Sequence, residues 1–347
     1  MKITSTILFL GCFLANLDAQ PRPEHNLAFP RLPTRWEDAL PLGNGMLGCL
    51  IWQKDDKLRL SLDRADLWDL RPMKGLDRPE FSYQWVAEQV AKGNYGQVQE
   101  YFDRPYDREA GPTKLPGAAL ETGKAGSGAA ELDIATGLGR IAFSDGPVVR
   151  VFVHATRPEG WIRIEGGSDQ HRPVLVPPAY GGGDLARLGY RQGEVSPRRN
   201  GAVYRQPGWN GAAYEVAVAW QQTTDGATEF VWSLSAQPGR ETAEKTVEKA
   251  LRRGFDASFA ESKKWWAEYW SRSSVALPDP VIERQYYLDL YKFGCAARDN
   301  APMINLQSVW TADNGRLPPW KSDFHHDLNT QLSYWPAYAS NHSDLAL

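Results

Sequence analysis

Apolar and polar residues alternate along much of the segment 22–240, and turn residues recur at short intervals. Residues 58–62, 149–153 and 161–164 show the alternation most clearly. A period of two is typical of strands that bury one face. Pairs such as Asp225-Gly226 mark the turns between such strands. The pattern predicts an N-terminal antiparallel β-sandwich over residues 22–240.

Two stretches interrupt this strand pattern. Between Tyr83 and Phe102, aromatic and aliphatic residues recur at helical spacing around Gly93-Asn94, which predicts a helical insertion. Residues 110–130 are rich in Gly, Ala, Pro and Thr, which predicts a long loop.

The hydrophobic period changes near residue 241. Apolar side chains from Val247 to Trp270 mark one face of a helix, and Gly254 is a weak point within it. The pattern predicts a long helical linker over residues 241–278.

A second helix is predicted after this linker. Asp279 is a good N-cap, and Pro280 suits the first helical position. Residues 279–347 therefore indicate the first part of an all-helical domain. The predicted fold class is multidomain, β then α.

The first nineteen residues have the composition of a secretory signal peptide. Lys2 precedes an apolar run over residues 7–15, and cleavage is expected near Ala19. A lipoprotein site at Gly11-Cys12 is the alternative, but the apolar run continues beyond Cys12. No later segment has the ~20 apolar residues needed to cross a bilayer, so a secreted or periplasmic protein without a membrane span is expected.

Charge and cysteine content limit which partners and which kind of protein the sequence is compatible with. The formal net charge is -3 and no basic stripe is visible, so nucleic acid is not an expected partner. Beyond the predicted signal peptide only Cys49 and Cys295 remain, too few for a disulfide framework. The fourteen tryptophans fit either a core or stacking against sugar rings. The oligomeric state is left open.

The densest group of polar and aromatic residues lies near the C-terminal end of the sequence. Amides and carboxylates that converge between aromatic rings suit a sugar, because they bind its hydroxyl groups while the rings cover its apolar face. The candidate residues are Trp320, Asp323, His325, His326, Asp327, Asn329, Gln331 and Trp335. The alternative is a polar loop that enters a helix capped by Asp323 or Asp327.

A metal site is the other interpretation of His325, His326 and Asp327. Adjacent side chains point apart, and no further ligands follow at a recognisable spacing, so neither a metal nor another cofactor is predicted. His342 and Asp344 are expected to face solvent.

Two parts of the sequence resemble the inverting α-L-fucosidases of glycoside hydrolase family 95. Near the start the resemblance rests on RWEDALPLGNGMLGCLIW and LSLDRADLWD, at 35–52 and 60–69. Near the end it rests on NLQSVWTADNGRLPPWKSDFHHDLNTQLSYWP, at 305–336. Between the two parts only the general β character is similar.

The resemblance implies a β-sandwich, a helical linker and an (α/α)6 barrel, of which residues 279–347 would be the first part. It also implies inversion, in which an acid protonates the leaving oxygen while an activated water attacks the opposite face of the ring. By the matching positions, Asp327 and Asn329 would orient the water and His325 would contact the sugar. Trp320, Trp335 and Gln331 are the other predicted substrate-binding residues.

Three positions depart from the family pattern. Asp327 stands where the family has Asn, and a carboxylate there would either act as a base or repel the usual base. Ser333 and Thr330 are milder departures that bear on the identity of the sugar. The expected substrate is an oligosaccharide or polysaccharide with α-L-fucoside or α-L-galactoside linkages.

The family's general acid and base lie on later barrel helices, so the sequence is expected to be an inactive N-terminal fragment of the enzyme. A non-catalytic glycan-binding sandwich is one alternative function. A glycoside phosphorylase is another, but it needs a basic pocket, and Arg316 and Lys321 are expected to face solvent.

The glycines of the motif at 43–48 have a structural explanation, since glycine permits a positive φ or a close backbone approach. By the resemblance, this loop would lie near the mouth of the barrel. Asn44 within the loop is a predicted substrate-binding residue.

Overall fold

The computed structural model describes residues 20–124, 128–144, 146–181, 183–187, 189–237, 241–310, 313 and 316–346. The predicted signal peptide at 1–19 lies outside these residues. In the described part of the chain no helix is long and apolar enough to cross a membrane.

The described residues between 20 and 237 contain sixteen strands. In chain order they are β1 (Leu27–Phe29), β2 (Leu40–Gly43), β3 (Leu47–Lys54), β4 (Lys57–Arg64), β5 (Trp68–Asp69), β6 (Thr113–Lys114), β7 (Ala118–Lys124), β8 (Gly128–Asp133), β9 (Leu138–Phe143), β10 (Val148–Val153), β11 (Gly160–Glu165), β12 (Val174–Val176), β13 (Glu194–Arg198), β14 (Gly201–Pro207), β15 (Ala213–Gln222) and β16 (Thr228–Gln237).

Helices interrupt the strands at two places and then follow them. They are α1 (Tyr83–Ala91), α2 (Tyr95–Arg108), α3 (Gly183–Arg187), α4 (Ala243–Arg253), α5 (Phe255–Trp270), α6 (Pro280–Ala296) and α7 (Leu328–Ala339).

Two antiparallel sheets form the sandwich. The larger has the order β1-β8-β9-β10-β11-β16-β15-β14-β13, and the smaller has the order β12-β7-β4-β3-β2. Their facing side chains share one core, in which Ile51, Val151 and Leu234 are almost fully buried. The predicted sandwich followed by helices is therefore confirmed.

The helical insertion and the second helix also match the prediction. The insertion forms two helices, α1 and α2, separated at Gly93, which has φ 76°. Asp279 caps α6, since its carboxylate accepts hydrogen bonds from the N–H groups of Val281 at 2.9 Å and Ile282 at 3.4 Å.

The prediction of a loop over residues 110–130 is wrong, because this stretch holds β6, β7 and the start of β8. β7 lies inside the smaller sheet, between β4 and β12. Its small residues permit close packing: a Cβ on the preceding Gly117 would lie 2.2 Å from the Leu62 carbonyl oxygen. A composition typical of loops is here used for a tightly packed strand.

The prediction of a single linker helix is also wrong, since Gly254 (φ 83°, ψ 165°) divides this segment into α4 and α5. α4 covers the outer face of the larger sheet, where Val247 and Ala250 pack in one cluster with Phe152 and Val231. Glycine adopts such a positive φ at little cost, and this lets the chain turn away from the outer face of the sheet after α4.

The glycines at 43–48 lie against the helical segment. A Cβ on Gly43 would lie 2.8 Å from the Cys295 carbonyl oxygen, and one on Gly48 would lie 1.8 Å from that of Val309. Gly45, with φ 80°, donates a backbone hydrogen bond to Cys295 at 2.6 Å. The sandwich therefore approaches the end of α6 at Gly43 and Gly45 and the segment around Val309 at Gly48 so closely that these positions require glycine.

Two polar residues predicted to face solvent are buried. His342 is 1% exposed and contacts the Tyr269 carbonyl oxygen at 3.0 Å. Lys321 is 8% exposed and donates to the Glu109 carbonyl oxygen at 2.9 Å. Both predictions were wrong because the last helical segment packs onto α5 and onto the insertion. Asp344 and Arg316 are exposed as expected.

Candidate functional site

The segment before α7 contains a run of left-handed backbone. Trp320, Lys321 and Ser322 have φ values of 48°, 55° and 60°. Non-glycine residues in this region carry a cost of about 1–2 kcal/mol each, and such residues cluster at functional sites. The left-handed run therefore marks residues 320–322 as a candidate site by a criterion independent of any motif.

Tertiary contacts hold this strained run in place. The Tyr106 hydroxyl on α2 lies 2.7 Å from the Trp320 carbonyl oxygen. Lys321 bonds to the insertion as described, and the fully buried Ser322 accepts a hydrogen bond from the Gln307 N–H at 3.1 Å. The helical insertion of the sandwich thus supports the candidate site, a role that periodicity alone did not reveal.

Asp323 and His325 form the polar centre of this segment. His325 Nε2 lies 2.8 Å from Asp323 Oδ1, and the Tyr106 hydroxyl lies 2.6 Å from Asp323 Oδ2. The His325 ring is not aligned for a hydrogen bond to this oxygen, so Asp323 Oδ1 accepts no hydrogen bond from the described residues. Asp323 does not cap α7, since the N-cap position belongs to Asp327, and its carboxylate lies beside His325 instead.

An exposed aromatic surface adjoins His325. The Trp320 ring is centred 5.5 Å from the imidazole, and Trp320 is 60% exposed. On the other side, Phe324 stacks on His326 at 5.9 Å and on Trp68 of the sandwich at 5.9 Å. Trp320 and His325, both predicted to bind substrate, therefore lie together.

Asp327 and Asn329 lie at the start of α7. Asp327 occupies the N-cap position, but its carboxylate accepts no capping hydrogen bond. Both side chains are exposed, and within the described residues neither has a side-chain hydrogen bond. Residues two apart on a helix point in different directions, so the two polar groups do not converge by helix geometry alone.

Gln331 and Trp335 are one helical turn apart and line a separate hollow of about 330 Å³. Arg298 forms part of its wall. The Arg298 guanidinium lies 3.8 Å from the centre of the Trp265 ring, and burial lowers its pKa to about 10. Its Nε and Nη2 atoms are buried, and none of the described residues forms a hydrogen bond with them. No motif pointed to Arg298; only its charge directly after the apolar helix α6 was visible in the sequence.

Asn44 lies apart from these residues and is 6% exposed. Its amide nitrogen donates to the carbonyl oxygens of His154 at 2.8 Å and Arg157 at 2.9 Å. Its oxygen accepts from the N–H groups of Met46 at 3.1 Å and Leu47 at 2.7 Å. All four hydrogen bonds of the amide stay within the sandwich, so the geometry favours a structural role, and substrate binding by Asn44 stays a prediction.

The family comparison matches less than the last quarter of the chain. Residues 267–347 match the glycosyl hydrolase family 95 catalytic domain. Among solved structures, a family 92 inverting mannosidase from Bacteroides thetaiotaomicron is similar at a TM-score of 0.39 and 8% identity, covering 78% of this chain. The chain spans 37% of the length of that mannosidase. No curated protein matched.

The family match covers α6, α7 and the candidate residues from Trp320 to Trp335. The resemblance inferred from the motif at 305–336 is thereby confirmed for this part of the chain. Residues 267–347 are therefore similar to the catalytic domain of glycoside hydrolase family 95, and the activity of the whole protein is a proposal.

Proposed function

We propose that the whole protein is a secreted, inverting glycosidase that acts on α-L-fucosides or related α-L-galactosides. The observation that carries the proposal is the family match over 267–347, which includes His325, Asp327 and Asn329. Export is proposed from the charged start and apolar run of residues 1–19.

In this proposal the chain supplies the groups that position sugar and water. His325, oriented by Asp323, bonds a hydroxyl group of the sugar that is cleaved, and the exposed Trp320 ring packs against its apolar face. Asn329 orients the attacking water. By the resemblance, the general acid and base belong to later helices of the barrel.

Asp327 gives this site a chemistry different from that of the family pattern, which has Asn at this position. Its carboxylate is exposed and free of a capping bond, so it is available to accept a proton from water. The alternative effect is repulsion of a neighbouring catalytic carboxylate, whose pKa would then rise. An Asp327→Asn variant separates the two effects: activity falls in the first case and rises in the second.

The test is hydrolysis by the whole protein of α-L-fucosides and α-L-galactosides, with the anomer formed first read by NMR. The expected results are inversion and a loss of kcat of at least about a hundredfold in Asn329→Ala, the scale typical of a group that acts in the transition state. Gln97→Ala removes an exposed amide on α2 and serves as the matched control. Retention of configuration, or wild-type activity in Asn329→Ala, contradicts the proposal. A requirement for phosphate would indicate a phosphorylase instead.

A further inference from the structure

A second hollow, of about 320 Å³, lies where the β14–β15 hairpin loop meets the segment around β5. Its wall includes two tryptophans, Trp68 and Trp209, with Asn210, Leu70, Asp66 and Asp69. No motif in the sequence singled out Trp209 or Asn210. The residues come together because β5, which pairs with β6 outside the two sandwich sheets, lies beside the end of β14 in the larger sheet.

A tight, hydrogen-bonded loop keeps the Trp209 side chain exposed. The Gly208 N–H donates to the Ala212 carbonyl oxygen at 2.7 Å, and the Ala212 N–H donates to the Trp209 carbonyl oxygen at 3.0 Å. Asn210, with φ 52°, has the left-handed backbone conformation that closes this turn. The loop leaves Trp209 41% exposed, whereas Trp161, Trp232, Trp266 and Trp270 are fully buried. A rigid, exposed indole at a hollow is a ready-made stacking surface.

Polar groups beside this ring are available to a ligand. Within the described residues, neither the Trp209 indole N–H nor the Asn210 amide has a hydrogen-bond partner in the protein. An amide both donates and accepts hydrogen bonds, as the hydroxyl groups of a sugar require.

The charge of the wall favours an uncharged ligand. Asp66 and Asp69 line the hollow, and the described lining residues include no Lys or Arg. Both carboxylates are ion-paired, Asp66 with Arg64 at 2.5 Å and Asp69 with Arg71 at 2.7 Å, so neither adds a free charge. With no cation in the wall, an acidic sugar would lose its hydration without gaining an ion pair.

The hollow adjoins the candidate site. Trp68 lines the hollow, and its ring stacks on Phe324 at an interplanar angle of 15°. Phe324 directly precedes His325 in the sequence. The stack of Trp68 on Phe324 therefore lies between the hollow and the segment that holds His325.

We propose that this hollow is a subsite for a neutral hexose ring of the substrate, distinct from the ring that is cleaved. The assignment of the ligand as a glycan rests on the proposed function. Trp209 stacks on the hexose, Asn210 bonds its hydroxyl groups, and Trp68 separates this ring from the one at His325.

The test is calorimetric titration of the purified protein with lactose, L-fucose and 2′-fucosyllactose. Trp209→Ala is expected to weaken lactose and 2′-fucosyllactose binding about tenfold, the scale of losing one aromatic contact, and to leave L-fucose binding unchanged. Asn210→Gly, which tolerates the left-handed backbone, is expected to weaken lactose binding about threefold. Tyr83→Ala removes an exposed ring outside the hollow and is the matched control.

Lactose affinity unchanged in both Trp209→Ala and Asn210→Gly overturns the subsite, as does a wild-type protein that binds no lactose. His325→Ala distinguishes this result from failure of the proposed function, because His325 is the proposed contact of the sugar that is cleaved. It is expected to weaken L-fucose binding and to leave lactose binding unchanged. If L-fucose binding and hydrolysis are absent while lactose binding still depends on Trp209, the subsite stands and the fucosidase proposal falls.

Discussion

Asn44 and Asn329 lie in two regions that resemble the same enzyme family, yet the molecule uses them differently. The Asn44 amide makes four hydrogen bonds and is buried in the sandwich. The Asn329 side chain is exposed at the start of α7 and makes no side-chain hydrogen bond within the described residues. A polar motif residue therefore indicates chemistry only where the fold leaves its hydrogen-bonding groups unused.

The largest effect that tests this contrast is on stability. Asn44→Ala leaves two N–H groups and two carbonyl oxygens without their partner, so we expect the free energy of unfolding to fall by about 3 kcal/mol. Asn329→Ala is expected to change it by less than about 0.5 kcal/mol, because an exposed helical alanine is well tolerated. Urea unfolding of both variants measures the difference.

Asn44→Asp is the matched control for this pair. The aspartate keeps the acceptor for Met46 and Leu47, but its second oxygen would face the carbonyl oxygens of His154 and Arg157, so a loss of stability at least as large as that of Asn44→Ala is expected. Equal stability of Asn44→Ala and Asn329→Ala would contradict the contrast between the two regions.

His342 is the exception within the C-terminal region, because its polar groups are used by the fold. Burial lowers its pKa, Arg272 lowers it further, and the bond to the Tyr269 carbonyl oxygen opposes this shift. The unfolded chain therefore binds the proton more readily than the folded protein does. The stability gained from neutral His342 is present above pH 6.5 and is lost as the pH falls below that value.

The His342→Gln variant isolates this dependence. Glutamine keeps a donor for Tyr269 but does not titrate, so the loss of stability between pH 7.5 and 5.5 should be smaller than in the wild type. At pH 8, the loss of ring packing is expected to cost about 1.5 kcal/mol. Thermal unfolding across this pH range provides the measurement, and an identical pH slope in both proteins would show that His342 is not the group responsible.

The fold was predictable from local pattern wherever burial has a clear period. β4, β10 and the start of α6 follow from alternation and capping. The strand β7 could not be predicted in this way, since small residues serve a loop and a tightly packed strand equally well. Gly254 was visible as a weak point, but only the sheet beneath α4 decides that the helix ends there.

The candidate site was predictable only in part. Motif spacing grouped Trp320 with His325, and the structure places their rings together. Tyr106, Arg298 and Trp209 were not predicted, because each reaches a site through tertiary contacts of residues far apart in sequence. The many tryptophans were ambiguous for the same reason: composition does not show which of them the core buries.

Tyr106 gives the smallest effect and the sharpest test of how the sandwich supports the site. Tyr106→Phe removes the hydroxyl group beside Asp323 Oδ2 and the Trp320 carbonyl oxygen, which should lower the free energy of unfolding by about 1 kcal/mol. Tyr101→Phe on the same helix is the control, since its hydroxyl makes no hydrogen bond within the described residues.

The distinguishing readout is the imidazole of His325. Without the Tyr106 hydroxyl, Asp323 is freer to turn, so its contact with His325 Nε2 weakens and the NMR shifts of that ring should move. Tyr101→Phe should leave the ring shifts unchanged. If Tyr106→Phe lowers stability but His325 does not respond, then the insertion only anchors the backbone of residues 320–322, and Asp323 is oriented by its own segment.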